Sequence, residues 1–248
     1  MTDKLDDAFV LLEYNSDKNV EIYSRAIDEV GLMQSERILF NEFLSKDDNI
    51  LDLGCGAGRV SVSLYLSGYK NIIGLDMAEK QIECARQYIE SKEYQIDYRV
   101  GNAVALPFVD ESFNAVIFSF NGLMTIPDIH RRQKAIGEVN RVLIKHGIFI
   151  FTTHDRDISK QSELWLEERV RWDNSEQDTR MYDFGDRVFI HGDEETFLHV
   201  PSRSEVMGML ELSGFDVVYT EMRSDICDEP PEVIRFSDEC RFWVAKKR

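Results

Sequence analysis

Cysteine is scarce in this chain of 248 residues: four are present, Cys55, Cys84, Cys227 and Cys240. They form no CxxC pair and no metal-ligand spacing. That excludes a disulfide framework and a zinc site, and it suits a reducing compartment. Positive charge is also short. Lys and Arg total 29 against 46 Asp and Glu, a formal net charge of −17. Proteins that grip phosphate backbones are usually basic, so the balance counts against nucleic acid as the main partner. Acidity of this kind serves solubility. No apolar run approaches membrane-spanning length. The N-terminal "MTDKLDDAFV" is too acidic and polar for a signal or transit peptide. The expected setting is cytoplasmic, with no membrane partner, and nothing in the sequence sets an oligomeric state. Internal repeats and low-complexity tracts are absent. A chain of this length buries a full core without staples, and 1–248 reads as a single domain.

What is present is an alternation of strand and helix patterns. "SERILFNEFL", 35–44, carries Ile38, Leu39, Phe43 and Leu44 at helical spacing behind a Ser cap. The apolar strands "DNILDLG", "NIIGLDMA", "IDYRVGNA", "FNAVIFSF" and "GIFIFTTH" follow. Between them lie the helical runs "RVSVSLYLSGY", "EKQIECARQYIESK" and "DIHRRQKAIGEVNRVL". Such alternation predicts an α/β fold, a mostly parallel sheet with helices on both faces. After an interruption, "SRSEVMGMLELSG" reads as a helix with a Ser cap and a glycine stop. "FDVVYTEMR" and "RFWVAKKR" complete seven strands. Residues 1–34 are polar with scattered aromatics and read as a cap segment. Residues 155–200 are acidic, contain Trp165 and Trp172, and suggest a hairpin around "HGDEE". They read as a substrate-side insertion over the sheet's carboxyl edge.

Glycine is concentrated where it matters. "ILDLGCGAGR" places Gly54, Gly56 and Gly58 between a strand and a helix. In open α/β sheets ligands bind outside the carboxyl ends of the strands, and glycine lets backbone approach them. The helix that follows offers free N–H groups. The second strand ends in Asp76, about 20 residues on, where a ribose-binding carboxylate belongs. The turn is G-x-G-x-G, not the G-x-G-x-x-G of dinucleotide enzymes, and Asp52 precedes it. A pyrophosphate disfavours a carboxylate so close, whereas a ligand with an amino or sulfonium cation tolerates it. This favours S-adenosyl-L-methionine over NAD.

"ILDLGCGAGR", "IIGLDMAEKQIECAR", "GNAVALPFVDESFNAVIFSFNGLMTIPD" and "AIGEVNRVLIKHGIFIFTTH" resemble the successive motifs of class I S-adenosylmethionine-dependent methyltransferases, most closely the small-molecule and UbiE-like branch. The resemblance implies a Rossmann-like fold and the cofactor S-adenosyl-L-methionine. It implies that Gly54, Cys55, Gly56 and Gly58 line the methionine part and that Asp52 holds its ammonium. It also implies Asp76 on the ribose hydroxyls, Met77 on the adenine face, Asn102 and Ala103 at the adenine edge, and Ser119 beside the methionine. Asn102 stands where the family usually has Asp, and its carbonyl can still accept from the adenine amino group. "IKHG" replaces the usual turn before the fifth strand and is expected to alter only a surface loop.

Plain structural roles are open to the same residues. Asp76 can cap the following helix. Met77 can be core, Asn102 can bond its own backbone, and Cys55 can be a small filler. His154, after "FIFTT", is the candidate catalytic residue, placed to orient an acceptor or take its proton. Its alternative is a loop histidine bonded to the insertion. Tyr14, Trp165 and Trp172 are candidate substrate residues, Tyr14 having as its alternative packing against the 35–44 helix. Methyl transfer from a sulfonium needs alignment and exclusion of water more than a conspicuous base. The expected partner is a small-molecule methyl acceptor. An RNA- or protein-modifying methyltransferase and a non-catalytic S-adenosylmethionine-binding module are the alternatives.

Overall fold

The computed structural model describes residues 4–120, 122–158, 162–191 and 194–248. Strands β1 (Asn49–Leu53), β2 (Asn71–Asp76), β3 (Asp97–Val100), β4 (Phe113–Phe118) and β5 (Leu143–Thr153) pair in parallel. A separate hairpin, β6 (Asp186–His191) and β7 (Glu194–His199), precedes β8 (Phe215–Met222) and β9 (Arg241–Lys247). The main sheet has seven strands in the order β3-β2-β1-β4-β5-β9-β8, with β9 antiparallel to both neighbours. β1 and β4 are near-continuous apolar runs because both of their faces are covered. Ile50, Leu51, Val116 and Ile117 have no exposed surface. The strand order reverses between β1 and β4, which opens a crevice at their carboxyl ends.

Helices α1 (Asp7–Tyr14), α2 (Asp17–Glu29) and α3 (Gln34–Phe43) precede the sheet. α4 (Arg59–Leu66), α5 (Glu79–Lys92) and α6 (Ile129–Val142) follow β1, β2 and β4. α7 (Ser162–Asp173) lies in the insertion, and α8 (Arg203–Leu212) leads into β8. The core is divided by the sheet. Val139, Phe149, Phe151 and Trp243 pack on one side. Phe40, Val60, Ile82 and Ile117 pack on the other. Among the described residues no helix is long and apolar enough to cross a membrane.

The structure departs from the sequence reading at several joints. Residues 4–34 are largely helical, started by local caps: Asp6 accepts from the Phe9 N–H at 3.1 Å and Ser16 from the Asn19 N–H at 3.3 Å. Ser35 is not the cap of α3; it lies inside the first turn. The Glu229 carboxylate takes that role, accepting from the Gln34 and Ser35 N–H groups at 2.8 and 2.9 Å. A carboxylate there also complements the helix dipole. "IKHG" is part of β5, not a surface loop. His146 takes a left-handed φ of 64°, and the pairing with β4 shifts register between Phe113 and Ala115.

The 155–200 segment is anchored by buried polar groups. His199, with 1% of its surface exposed, bonds Asp186 through Nδ1 and Glu205 through Nε2, each at 2.7 Å. Burial is the largest influence and raises both carboxyls, but the His199 hydrogen bonds and charge, together with the nearby arginines and, for Asp186, the Asp183 N–H, outweigh it and hold both below the ordinary range. Arg132 of α6, also buried, donates to Asp183 at 3.0 Å. β7 packs against α1 and against the 3-10 turn Gly122–Thr125. The expected hairpin is formed by β6 and β7, and the centre of its turn, 192–193, lies outside the described residues.

Candidate active site

The glycine turn is fastened to the end of β2. Gly54 and Cys55 donate their N–H groups to the Leu75 carbonyl at 2.7 and 3.2 Å. Gly54, Gly56 and Gly58 have φ of 66°, 52° and 99°, all left-handed. Asp76 completes the fastening. Its Oδ2 accepts from the Gly56 N–H at 2.9 Å and its Oδ1 from the Ala78 N–H at 2.8 Å. Burial pushes its carboxyl up, against the pull of these N–H donors. Asp76 is not the N-cap of α5, which is Ala78 without a side-chain cap; its bond to the Ala78 N–H is a local turn bond, and the same carboxylate also sits beside the crevice.

Asp52, in β1, is 1% exposed. Ser61 donates to it at 2.5 Å. Burial raises its pKa to about 7, opposed by Ser61 and by the Arg59 charge. Arg59 begins α4 and is itself tied back to Glu36 by two bonds of 2.7 Å.

The crevice forms a pocket with a volume of about 120 Å³. Asp52, Gly54, Cys55 and Gly56 form one wall, and Asp76, Met77, Asn102 and Ala103 another. Ser119, at the end of β4, is also in the wall. Gly58 is not; it ends the turn directly before α4. Met77 packs with Leu5, Val10, Tyr14 and Phe197, so it serves the core under α1 as well. The Asn102 carbonyl accepts from the Val104 N–H at 3.0 Å, the local bond expected of a loop residue, while its amide donates to Asp7 at 2.8 Å. Burial pushes the Cys55 thiol well up, which makes it a filler and not a nucleophile.

The N-terminal helices roof this cavity. Tyr14 and Tyr23 stack at a centroid distance of 6.0 Å. Tyr23 meets Phe120 edge-on at 6.1 Å. All three line the cavity with Arg59. Tyr14 thus stands in the site and not against the 35–44 helix. Burial raises both phenols above their ordinary value, so neither is a base near neutral pH. Phe120 has a left-handed φ of 52°, and its N–H is held by Thr152 Oγ1 at 2.9 Å. Strain of this kind in a bulky residue concentrates at functional sites.

The structure does not bring His154, Trp165 or Trp172 into the wall. His154 Nδ1 lies 2.9 Å from the Glu239 carbonyl, which can only accept, so that nitrogen carries the proton and points away to the loop before β9. Trp165 and Trp172 meet Phe184 edge-on at 5.8 and 6.2 Å. They build the insertion's own small core, with Arg169 stacked on the same ring at 3.5 Å. Conversely, the sequence reading missed Asp7, Tyr23, Arg59 and Phe120. Tyr23 carried a signal as a lone aromatic in a polar segment; the other three reach the cavity through tertiary contacts alone.

A family model described as a methyltransferase domain matches residues 44–214. A demethylmenaquinone methyltransferase of Lactiplantibacillus plantarum is 28% identical over 188 residues, 71% of this chain and 73% of that protein. A Haemophilus influenzae protein is 32% identical over 127 residues, 50% of this chain and 49% of its own length. The chain thus spans about half the length of some of the curated relatives it matches. Among solved structures, an S-adenosylmethionine-dependent methyltransferase of Methanosarcina mazei has a TM-score of 0.69 at 21% identity, covering 88% of this chain and 99% of that one. That likeness concerns the fold. On the family match, and with a glycine turn and carboxylates arranged as described, the chain belongs to the class I S-adenosylmethionine-dependent methyltransferases.

Proposed function

We propose that this chain methylates a small-molecule acceptor within the roofed cavity. The observation that carries the reading is the aromatic lining that the N-terminal helices add to the crevice. α1 and α2 bring Tyr14 and Tyr23 into the lining of the crevice, an apolar wall that suits a small acceptor better than a polymer. The net charge of −17 argues the same way against a phosphate-rich partner. One relative is named a demethylmenaquinone methyltransferase. S-Adenosylmethionine, when bound, supplies a methyl group already activated on sulfur.

The residues present suit that group. Asp76 would hold the ribose hydroxyls while keeping its bond to the turn, and Asp52 would hold the ammonium. Gly54 and Gly56 let backbone come close, and Met77 gives an apolar face. Tyr14, Tyr23 and Phe120 exclude water on the acceptor side. No histidine lines the cavity among the described residues, so the protein's part is alignment and desolvation. The 155–200 hairpin would act as a brace behind α1, since β7 packs on that helix. The test is methyl transfer to total RNA, total protein and a metabolite extract, run side by side. Label confined to the macromolecular fractions would overturn the small-molecule reading.

Two binding measurements follow. Asp76→Ala should weaken S-adenosylhomocysteine binding by about 1.5–3 kcal/mol, the worth of charge-assisted hydrogen bonds. Asp76→Asn, which keeps an acceptor for the Ala78 N–H, should lose less. Unchanged affinity in a folded Asp76→Ala variant would leave Asp76 as a fastening of the turn alone. Affinity should also depend on pH through Asp52. Its carboxyl is neutral below about 7 and ionised above. A cationic amino group is held by the ionised form, so binding releases a proton and affinity rises as pH passes upward through 7. Calorimetry in buffers of different ionisation enthalpy reads that proton, and Asp52→Asn should abolish the release. No proton release near neutral pH in the wild type would detach Asp52 from the ammonium.

A further inference from the structure

We propose that Asp7, carried on α1 and held at Oδ2 by Asn102 and Arg131, reads the exocyclic amino group of the cofactor's adenine. The proposal rests on the methyltransferase reading above, because it needs an adenosine in the cavity. Among the described residues the cavity wall holds three carboxylates, Asp7, Asp52 and Asp76. Asp52 is in β1 and Asp76 ends β2. Asp7 lies against Asn102, just past β3. Since β1, β2 and β3 are neighbours in that order, the carboxylates run in line across the sheet's carboxyl edge. The ligand carries its hydrogen-bond donors in line as well: an ammonium, a ribose diol and an adenine amino group. Asp52 and Asp76 suit the first two, which leaves the third to Asp7.

Asn102 is poorly placed to serve alone. Its carbonyl already accepts from the Val104 N–H, and its amide is turned toward Asp7. A carboxylate is also the stronger acceptor for an amino donor. Asn102 and Arg131 of α6 both bond Asp7 at Oδ2. These bonds fix the orientation of the carboxylate and engage only that oxygen, so Oδ1 is the atom assigned to the ligand. An adenine bound there would in turn hold α1 closed over the site. The competing explanation is a latch: Asp7 and Arg131 merely pin α1 to α6.

S-Adenosylhomocysteine and its 6-oxo analogue, S-inosylhomocysteine, separate the two. A site built to bond an amino group rejects the analogue that lacks it, so the wild type should prefer the adenosyl ligand by about tenfold or more. Asp7→Ala should cut that preference at least about fivefold, by weakening the adenosyl ligand and sparing the inosyl one. Arg131→Ala opens the latch to α6, while Asn102 still holds the carboxylate at Oδ2, so the preference should survive. Thermal melting checks each fold, and Asp7→Asn, the same shape without the charge, stands in if the alanine variant unfolds. Equal weakening of both ligands by the Asp7 variants, or an unchanged ratio, would make Asp7 a latch and overturn the assignment. A wild-type protein that binds neither ligand would instead overturn the methyltransferase reading on which it rests.

Discussion

Glu36→Gln should destabilise the protein by about 3–5 kcal/mol, the usual cost of leaving a buried charge without its partner. The Glu36 and Arg59 side chains are only 1% and 8% exposed. Arg59 is held in both of its forks by Glu36 at 2.7 Å and donates to the Gly31 carbonyl at 2.6 Å. Glu36 also accepts from the Met33 N–H at 2.9 Å, which closes the first turn of α3. The pair therefore ties α3 to the first residue of α4, directly behind the glycine turn. Glutamine keeps the shape and loses the charge. Replacing both partners, Glu36→Leu with Arg59→Met, should recover most of the loss, since buried ion pairs are worth little against well-packed apolar groups. It should not recover all of it, because Met33 N–H and Gly31 C=O lose their partners. Urea denaturation of the three variants reads the difference. A loss under about 1 kcal/mol for Glu36→Gln would mean that water reaches the pair.

The parts of this molecule that the sequence revealed are those written locally. Each core strand is an apolar run of its own, and the turn Gly54–Gly58 needs left-handed backbone that only glycine supplies cheaply. Asp76 follows from its place at the end of β2. The parts that stayed hidden depend on distant contacts. Glu229 caps α3 from far along the chain, so the nearby Ser35 looked like the cap. Helices α1 and α2 are short and mixed in polarity, and their aromatics declare a purpose only when they meet Phe120 and Met77. His154 does stand at the carboxyl end of β5. A strand end, however, does not say which way a ring turns, and here the Glu239 carbonyl next to β9 claims it. Tryptophans in an insertion invite a binding role, yet a segment with few apolar residues needs them for its own packing, and Phe184 with Arg169 uses them so.

The glycine turn yields the sharpest mutational expectation for the site. Gly58→Ala should cost about 2–4 kcal/mol and weaken S-adenosylhomocysteine binding, through two separable causes. The first is backbone: φ is 99° at Gly58, a region that residues with a side chain seldom adopt. The second is space. A methyl group there would lie 2.3 Å from Tyr98 Oη and 2.9 Å from Cζ. Tyr98 cannot step aside cheaply. It is 3% exposed, and its ring is already pressed over Gly74, where an added Cβ would come within 2.4 Å of Cδ1. The phenol thus fills a slot left by glycines on β2 and at the start of α4, and the turn's path depends on that slot being empty of side chain. In a Tyr98→Leu background the steric part disappears while the backbone part, about 1–2 kcal/mol, stays. The two substitutions should therefore couple, with Gly58→Ala milder in the leucine background than alone. A double-mutant cycle by thermal and urea denaturation measures it. Full additivity would place the whole cost in the backbone, and a neutral Gly58→Ala would remove the turn's geometry as the reason for glycine at this position.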